Sequence, residues 1–541
     1  DSDGTIAVEY PAYQNNNTAV NANKWDAKTN ASVVREERVD MHSTKMWKES
    51  VLTMEKSTMR NELNSADFRI GIYTDKMGFL QYGTVLVSKI EVRKAGTSSR
   101  FGMQVSSSHY GNIFFTGDEM EFTVTINNSV YPELAYADGE YETELIWSLY
   151  DRYGGVYRQK KNSAVIKPYE ETKQTISFDD IDKYGVYIIK VEAINSTKKI
   201  YSSVYGRCSY VITTNGKIRN PHGGIVIPSL GDKQEEVADY LYKTGFTHVS
   251  SAMHQSQWAR IAYQNDKTNA SEMSPSTGEL KIWNALAGKG FDVGNYVSCV
   301  RPDSSTTYAL LDDAEPIASG MVPVTEKAAK NYAKRYLKAI EIMGDSLDRV
   351  FISNEINIAP ILNEDRWAAA MAKAQEYSYK AIKQRYPNLP VGGPQVLAVG
   401  NDDGWLENFL KAGGGNYVDF FTTHPYLQKE RPIVADMWYS TLERGGTLTE
   451  LKNLLDEYNV DVPLYATEYG YSARYYTVYT TLLQACWDIQ QYMELMQEDL
   501  FDVVYTFQIS DSNYGKAGVT KENGFGLLYG LNRRDDPLYD G

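Results

Sequence analysis

Two stretches of the sequence place a carboxylate at the close of an apolar run: FISNE, which ends on Glu355, and YATEYG, which carries Glu468. Between them, TTHPY brings His424 and Tyr426 to the same kind of position. Two carboxylic acids facing one another suit a reaction in which one protonates a leaving oxygen while the other attacks carbon or activates water, as in cleavage of a glycosidic bond. The two acids must then differ in proton affinity, because a single environment cannot hold one protonated and the other ionised. Tyr426 is placed to donate a hydrogen bond to Glu468 and hold it ionised, and Asn354 to reach the hydroxyl beside a reacting sugar carbon. A lone Glu after a strand is more often a helix-start charge or an ion-pair partner. Two of them, each behind a strongly apolar strand and the second followed by a turn-forming Gly470, favour catalysis over that plainer reading.

The elements that must position these residues follow from the pattern after about residue 214. HGGIVIPSL, THVSSAM, FDVGNYVSCV, DRVFISNE, PVGGPQVLAV, VDFFTTHPY, VPLYATEYG and DVVYTFQIS read as strands. Helical stretches alternate with them, at 233–244, 280–289, 326–343, 367–386, 405–412, 449–458 and 477–498. Eight strands interleaved with helices predict a (β/α)8 TIM barrel over 214–541, in which reactive groups sit where strands end. Glu355 then closes strand four, His424 and Tyr426 strand six, Glu468 strand seven, and Phe507 and Gln508 strand eight. A doubly wound open sheet is the alternative, but no Gly-rich phosphate loop follows any strand.

Upstream of the barrel the pattern is β. Residues 1–108 read as a β-rich, jelly-roll-like module with runs at 68–73 and 84–92, although 34–61, rich in Met, Lys and Glu, suits a helix equally. VLVSKIEVRK resembles the closing strand of carbohydrate-binding jelly rolls, and the module is short for one, as a truncated domain would be. Residues 109–213 hold FTVTIN, YETELIWSLYD, YGVYIIKVEAI and YSSVYGRCSYVIT, separated by turns such as YADGE and DRYGG. That spacing predicts an immunoglobulin-like sandwich. The acidic run DDIDKYG lacks the later Glu of a calcium loop and leads straight into a strand, so it reads as a solvated turn.

Composition narrows the partners. A chain of 541 residues exceeds one core and suits several domains. The net charge of −15 and the lack of a Lys/Arg cluster argue against nucleic acid. No apolar run is long enough to span a membrane. Cys208, Cys299 and Cys486 are too widely spaced for a zinc motif or a disulfide framework and read as buried thiols. The 42 tyrosines suit both half-buried strands and sugar-stacking surfaces, which gives mild support to a glycan partner. The N-terminus, DSDGTIAVEYPAY, lacks a signal-peptide pattern; a polysaccharide substrate would imply a secreted or cell-surface protein, of which this chain is a mature fragment.

Asn354–Glu355, His424–Pro425–Tyr426, Thr467–Glu468–Tyr469–Gly470 and the closing GFGLLYGLNRRDDPLY together resemble clan A of the glycoside hydrolases, nearest to family 39. The likeness covers the barrel portion. It implies net retention through a covalent glycosyl-enzyme intermediate, with Glu355 as acid/base and Glu468 as nucleophile. Two features depart from the clan's pattern: no Arg stands in place on strand two, where Arg260 and Arg301 are the nearest candidates, and Phe507 and Gln508 replace a Trp on strand eight. Further substrate-contacting candidates are His254, Trp258, Trp283, Tyr296, Trp405, Trp438 and Tyr471, each of which could equally be packing. No histidine pair at ligand spacing marks a metal site, and neither metal nor cofactor is expected. Long segments at 271–280 and 301–324 are placed to shape a substrate rim. The expected activity is hydrolysis of β-glycosidic bonds in a polysaccharide or oligosaccharide, endo-acting in preference to exo-acting. The alternative from another class is a non-catalytic glycan-binding protein on a barrel scaffold.

Overall fold

The computed structural model describes residues 4–13, 32–41, 69–73, 102–127, 141–151, 154–167, 170–194, 200–227, 234–252, 277–297, 315–317, 320–357, 365–397, 404–427, 439–441, 444–472, 481–497, 500–509 and 525–527. The chain forms two compact units, the second beginning at Thr213. In the first unit, Gly4–Tyr13 pairs antiparallel with Ser32–Met41 on one side and Arg69–Tyr73 on the other. The stretch from Val34 that suited strand or helix is thus strand as far as Met41. The run at 84–92 lies outside the described residues.

Two further sheets in this unit share one core. Gly102–Ser106, Met120–Asn127 and Glu171–Phe178 form the smaller. The larger runs Ile113–Phe115, Ile200–Val211, Gly185–Ile194, Tyr141–Tyr150 and Val156–Ile166. Met120–Asn127 alternates buried and solvated residues, and its Phe122, Val124 and Ile126 meet Leu145, Trp147, Ile189 and Val191 of the larger sheet. Trp147 keeps its indole N–H satisfied by Asn162 Oδ1 at 2.7 Å. Val156–Ile166 and Glu171–Phe178 escape a search for apolar alternation because polar residues such as Lys160, Asn162 and Gln174 stand at their half-buried positions. The acidic turn is matched by neighbours: Asp179 pairs with Lys160, Asp180 with Arg158, and Asp182 accepts from the Tyr157 hydroxyl.

The second unit is a closed barrel of eight parallel strands in sequential order. They are β1 (Gly223–Val226), β2 (His248–Ala252), β3 (Asp292–Val297), β4 (Arg349–Ile352), β5 (Val391–Leu397), β6 (Phe420–His424), β7 (Leu464–Tyr469) and β8 (Val503–Thr506), with β8 pairing back onto β1. The helices between them are α1 (Gln234–Thr244), α2 (Thr277–Gly288), α3 (Glu326–Met343), α4 (Asp365–Arg385), α5 (Trp405–Lys411), α6 (Leu448–Glu457) and α7 (Thr481–Gln497). Thr325 and Thr447 begin α3 and α6 where a hydroxyl must satisfy the first free N–H groups, and Thr447 completes a capping box with Glu450.

Glycines and aromatics on neighbouring strands fill the interior together. A Cβ on Gly224 would meet the Tyr505 ring at 2.6 Å, one on Gly294 the Phe351 ring at 2.5 Å, and one on Gly392 the Phe420 ring at 2.0 Å. Each missing side chain leaves room for a ring from the next strand, and Phe351 meets both Phe420 and Tyr505 edge to face. At the strand starts, Arg349 forms a two-pronged ion pair with Asp292 and lies over the rings of Phe420 and Tyr465. Burial lowers the pKa of the adjacent His248 to about 4, so that ring is neutral and belongs to packing. Gly392→Ala is expected to lose about 1–3 kcal/mol of stability through overpacking against Phe420, with part of the loss recovered in Gly392→Ala/Phe420→Leu, as read by chemical denaturation.

Candidate active site

The strand ends bring Glu355, His424, Tyr426 and Glu468 together. The Tyr426 hydroxyl donates to Glu468 Oε2 at 2.8 Å. His424 Nδ1 lies 3.0 Å from Glu355 Oε1 and 3.6 Å from Glu468 Oε2, so one ring nitrogen faces both acids. One donor atom from each of Glu355, His424 and Glu468 falls within 4.8 Å of the others. Three such atoms could meet a divalent cation, but the same contacts also serve two acids that share a proton. Glu468 and His424 are buried, whereas Glu355 is partly open to solvent.

The chain reaches Glu355 through an uncommon turn. Ser353 and Glu355 both take left-handed backbone angles, φ 66° and 46°, which side-chain-bearing residues rarely adopt. The neighbouring strand's exit holds this turn. Ser353 N–H donates to the Tyr336 hydroxyl at 2.8 Å, and Ser353 Oγ to the Pro394 carbonyl at 2.6 Å. Glu355 N–H donates to the Gln395 carbonyl at 2.7 Å. Asn357 exchanges two hydrogen bonds with the backbone of Leu397. Gln395, itself at φ 45°, is anchored in turn through its N–H to Thr422 Oγ1 on β6 at 2.8 Å. None of these supports was read from the sequence; Ser353 and Gln395 are ordinary polar residues until the turn is seen.

Around Tyr426 the packing is aromatic. Phe507 and Phe525 meet its ring edge to face at 6.4 and 5.8 Å and each other at 5.5 Å. This fixes the ring whose hydroxyl reaches Glu468. Gln508 accepts from Leu527 N–H through its carbonyl, which ties the end of β8 to the segment carrying Phe525. Phe525 was not singled out, although the GFG stretch that holds it was. Asn354 stands beside Glu355 with a buried Oδ1 that has no partner among the described residues.

Several sequence candidates lie elsewhere. Tyr471 is fully buried against Trp487 of α7, Trp405 stacks on Phe409 within the α5 region, and Trp283 is buried on α2. Rings without solvent access pack the core and present no stacking face to a sugar. Tyr296 pairs on β3 through its backbone, and its side chain is outside the described set. His254, Trp258, Arg260, Arg301 and Trp438 also lie outside the described residues.

The electrostatics correct one expectation. Burial drives the Glu468 pKa up to about 7, with the charge of Glu355 adding to the rise. His424 and the Tyr426 hydrogen bond oppose this without cancelling it, so Tyr426 alone does not hold Glu468 ionised. Burial disfavours a charged His424, yet the carboxylates of Glu468 and Glu355 outweigh it and raise its pKa. Glu468 therefore keeps its proton up to about pH 7.

No family model matches the chain, and no curated protein matches its sequence. Solved structures do match in fold. A family 39 glycoside hydrolase from the gut symbiont Bacteroides cellulosilyticus WH2 superposes with a TM-score of 0.54 at 16% identity, covering 74% of this chain and 76% of that one. A putative β-galactosidase from Bacteroides fragilis matches at a TM-score of 0.36 and 12% identity over 80% of this chain and 59% of its own. A Bacteroides uniformis β-glucuronidase matches at 0.34 and 12%, over 79% of this chain and 48% of its own. The barrel thus has the fold of the family 39 glycoside hydrolases, as the motifs around Glu355 and Glu468 implied.

The raised pKa carries a thermodynamic consequence. An acid whose pKa is higher folded than unfolded binds extra protons in the native state, so stability falls as pH rises from about 4.5 through about 7. Glu468→Gln keeps an acceptor for Tyr426 and removes that penalty. The variant should be more stable than wild type by on the order of 2 kcal/mol at pH 8, with the gap closing near pH 4.5. Calorimetric Tm across that range checks it; a gap independent of pH would contradict a raised pKa.

Proposed function

We propose that this protein hydrolyses β-glycosidic bonds with net retention, using Glu355 as general acid/base and Glu468 as nucleophile. The observation that carries the reading is the spacing of the pair: carboxylate oxygens on the ends of β4 and β7 lie within 4.8 Å of one another. Retention uses carboxyl groups about 5–5.5 Å apart, whereas inversion leaves about 6.5–9.5 Å for an intervening water. In the first step a Glu468 oxygen attacks the anomeric carbon while Glu355 gives its proton to the departing oxygen. In the second, Glu355 takes a proton from water, which attacks the same carbon and releases Glu468. The first step needs Glu355 protonated and Glu468 ionised. Tyr426 favours that arrangement by donating to Glu468, and His424 by placing its N–H between both acids.

The substrate we favour is a polysaccharide or oligosaccharide cut internally, because β-sheet regions precede the barrel, as they do where a module holds polymer near a catalytic mouth. On this reading the N-terminal strands are a carbohydrate-binding module, the two-sheet region is an immunoglobulin-like spacer, and the protein works outside the cell. Turnover of a polysaccharide and aryl β-glycoside panel tests the activity. Glu355→Ala should lower kcat/KM on unactivated substrates by about 10²–10⁴-fold, and Glu468→Ala at least as much. Azide should restore activity to Glu355→Ala and yield a β-glycosyl azide. Wild-type-like turnover by either variant excludes the assignment, and glycan binding without turnover by the parent points to a non-catalytic binding protein. In the parent, kcat/KM should rise with pH toward about 7, as Glu468 gives up the proton that burial holds on it and becomes the nucleophile.

A further inference from the structure

The helix α7 is built inside out. Its buried positions, Gln484, Asp488, Gln491 and Leu495, recur at helical spacing along one face, and the first three are polar. Its solvated side carries Ile489 and Met493, 60% and 62% exposed. An amphipathic helix arranges itself the other way round, because burying polar groups costs free energy that apolar burial would have supplied. Each buried group on α7 spends its hydrogen bond on the chain just beyond a catalytic strand. Gln491 Nε2 donates to the Pro425 carbonyl, between His424 and Tyr426, at 2.5 Å. Asp488 Oδ1 accepts from Tyr471 N–H at 2.9 Å, and Gln484 Nε2 donates to the Tyr471 carbonyl at 2.7 Å, three residues beyond Glu468. Gly470 lies within this second clamp; a Cβ there would stand 2.7 Å from the Phe507 carbonyl and 3.6 Å from Asp488 Oδ1.

We infer that Gln484, Asp488 and Gln491 are positioning residues, which hold the exits of β6 and β7 in the register that lets Tyr426 donate to Glu468. This rests on the proposed reading of Glu468 as nucleophile. Tyr426 and Glu468 come from different strands, and their 2.8 Å contact requires both exits to be fixed against a common body. The polar face of α7 supplies one, since a single rigid helix grips both. Burial raises the Asp488 pKa well above the ordinary carboxylate value, and what the frame takes from it is an acceptor, Oδ1, for the Tyr471 N–H. Asn would serve there and Leu would not.

The test compares Gln491→Met and Asp488→Leu, which keep volume and remove the hydrogen bonds, with Asp488→Asn, which keeps an acceptor. In the first two, kcat should drop by about 10- to 100-fold with KM within about threefold. The acidic limb of kcat/KM should move to higher pH, because Glu468 loses the donor that lowers its pKa. Asp488→Asn should stay within about threefold of wild type, with the limb in place. Unmoved limbs in Gln491→Met and Asp488→Leu overturn the inference, whether or not Tm falls, since lost stability without a shifted limb marks a merely structural helix. If the parent turns over no glycoside, the failure belongs to the proposed function. The register is then read without activity, from the pH midpoint of the rise in stabilisation that Glu468→Gln confers, in the parent and in Gln491→Met. A midpoint higher in Gln491→Met supports the clamp, and equal midpoints refute it. Should Asp488→Leu fail to fold, Gln491→Met and Asp488→Asn decide the question by the same readouts.

Discussion

Glu468 sits buried beside a second carboxylate, and most of the site's construction answers the cost of putting it there. Like charges under 5 Å apart in a low-dielectric mouth repel strongly, and burial adds a desolvation penalty to Glu468. The structure offsets this with one imidazole nitrogen facing both acids and one phenol hydroxyl given to Glu468 alone. The compensation is partial: Glu468 still keeps its proton up to about pH 7, so the site carries a cost in stability at alkaline pH.

That arrangement is only as precise as the frame behind it. The barrel supplies rigidity by closing on itself and by filling its interior with rings that occupy the space glycines leave on the adjacent strand. Rigid strands alone do not aim side chains, however. The aim comes from hydrogen bonds that cross from one strand's exit to the next: Ser353 to Pro394, Glu355 to Gln395, Gln395 to Thr422, and the aromatic contacts that hold Tyr426 between Phe507 and Phe525.

Much of this was legible in the residues. Each barrel strand is a short apolar run bounded by polar signals, so the eight could be counted and the groups at their ends named, including the four that meet in the site. The reading weakened where a residue's type does not determine its surroundings. Tyr471, Trp283 and Trp405 have the chemistry of sugar-stacking rings but are buried in the core, because a large aromatic serves either purpose equally well. The supports of Glu355 were hidden for the opposite reason: Ser353 and Gln395 matter through backbone angles, which side-chain patterns do not encode. The polar buried face of α7 was not read from the sequence, because its meaning depends on which carbonyls and N–H groups it meets.

The left-handed turn at Ser353 and Glu355 has a consequence for how such a site can be exchanged or diversified. Because the turn's backbone is held by Tyr336, Pro394, Gln395 and Leu397 rather than by its own strand, the heritable unit of this half of the site runs from α3 through β5. A recombinant that takes β4 from one parent and β5 from another would keep the glutamate in its sequence and lose its address.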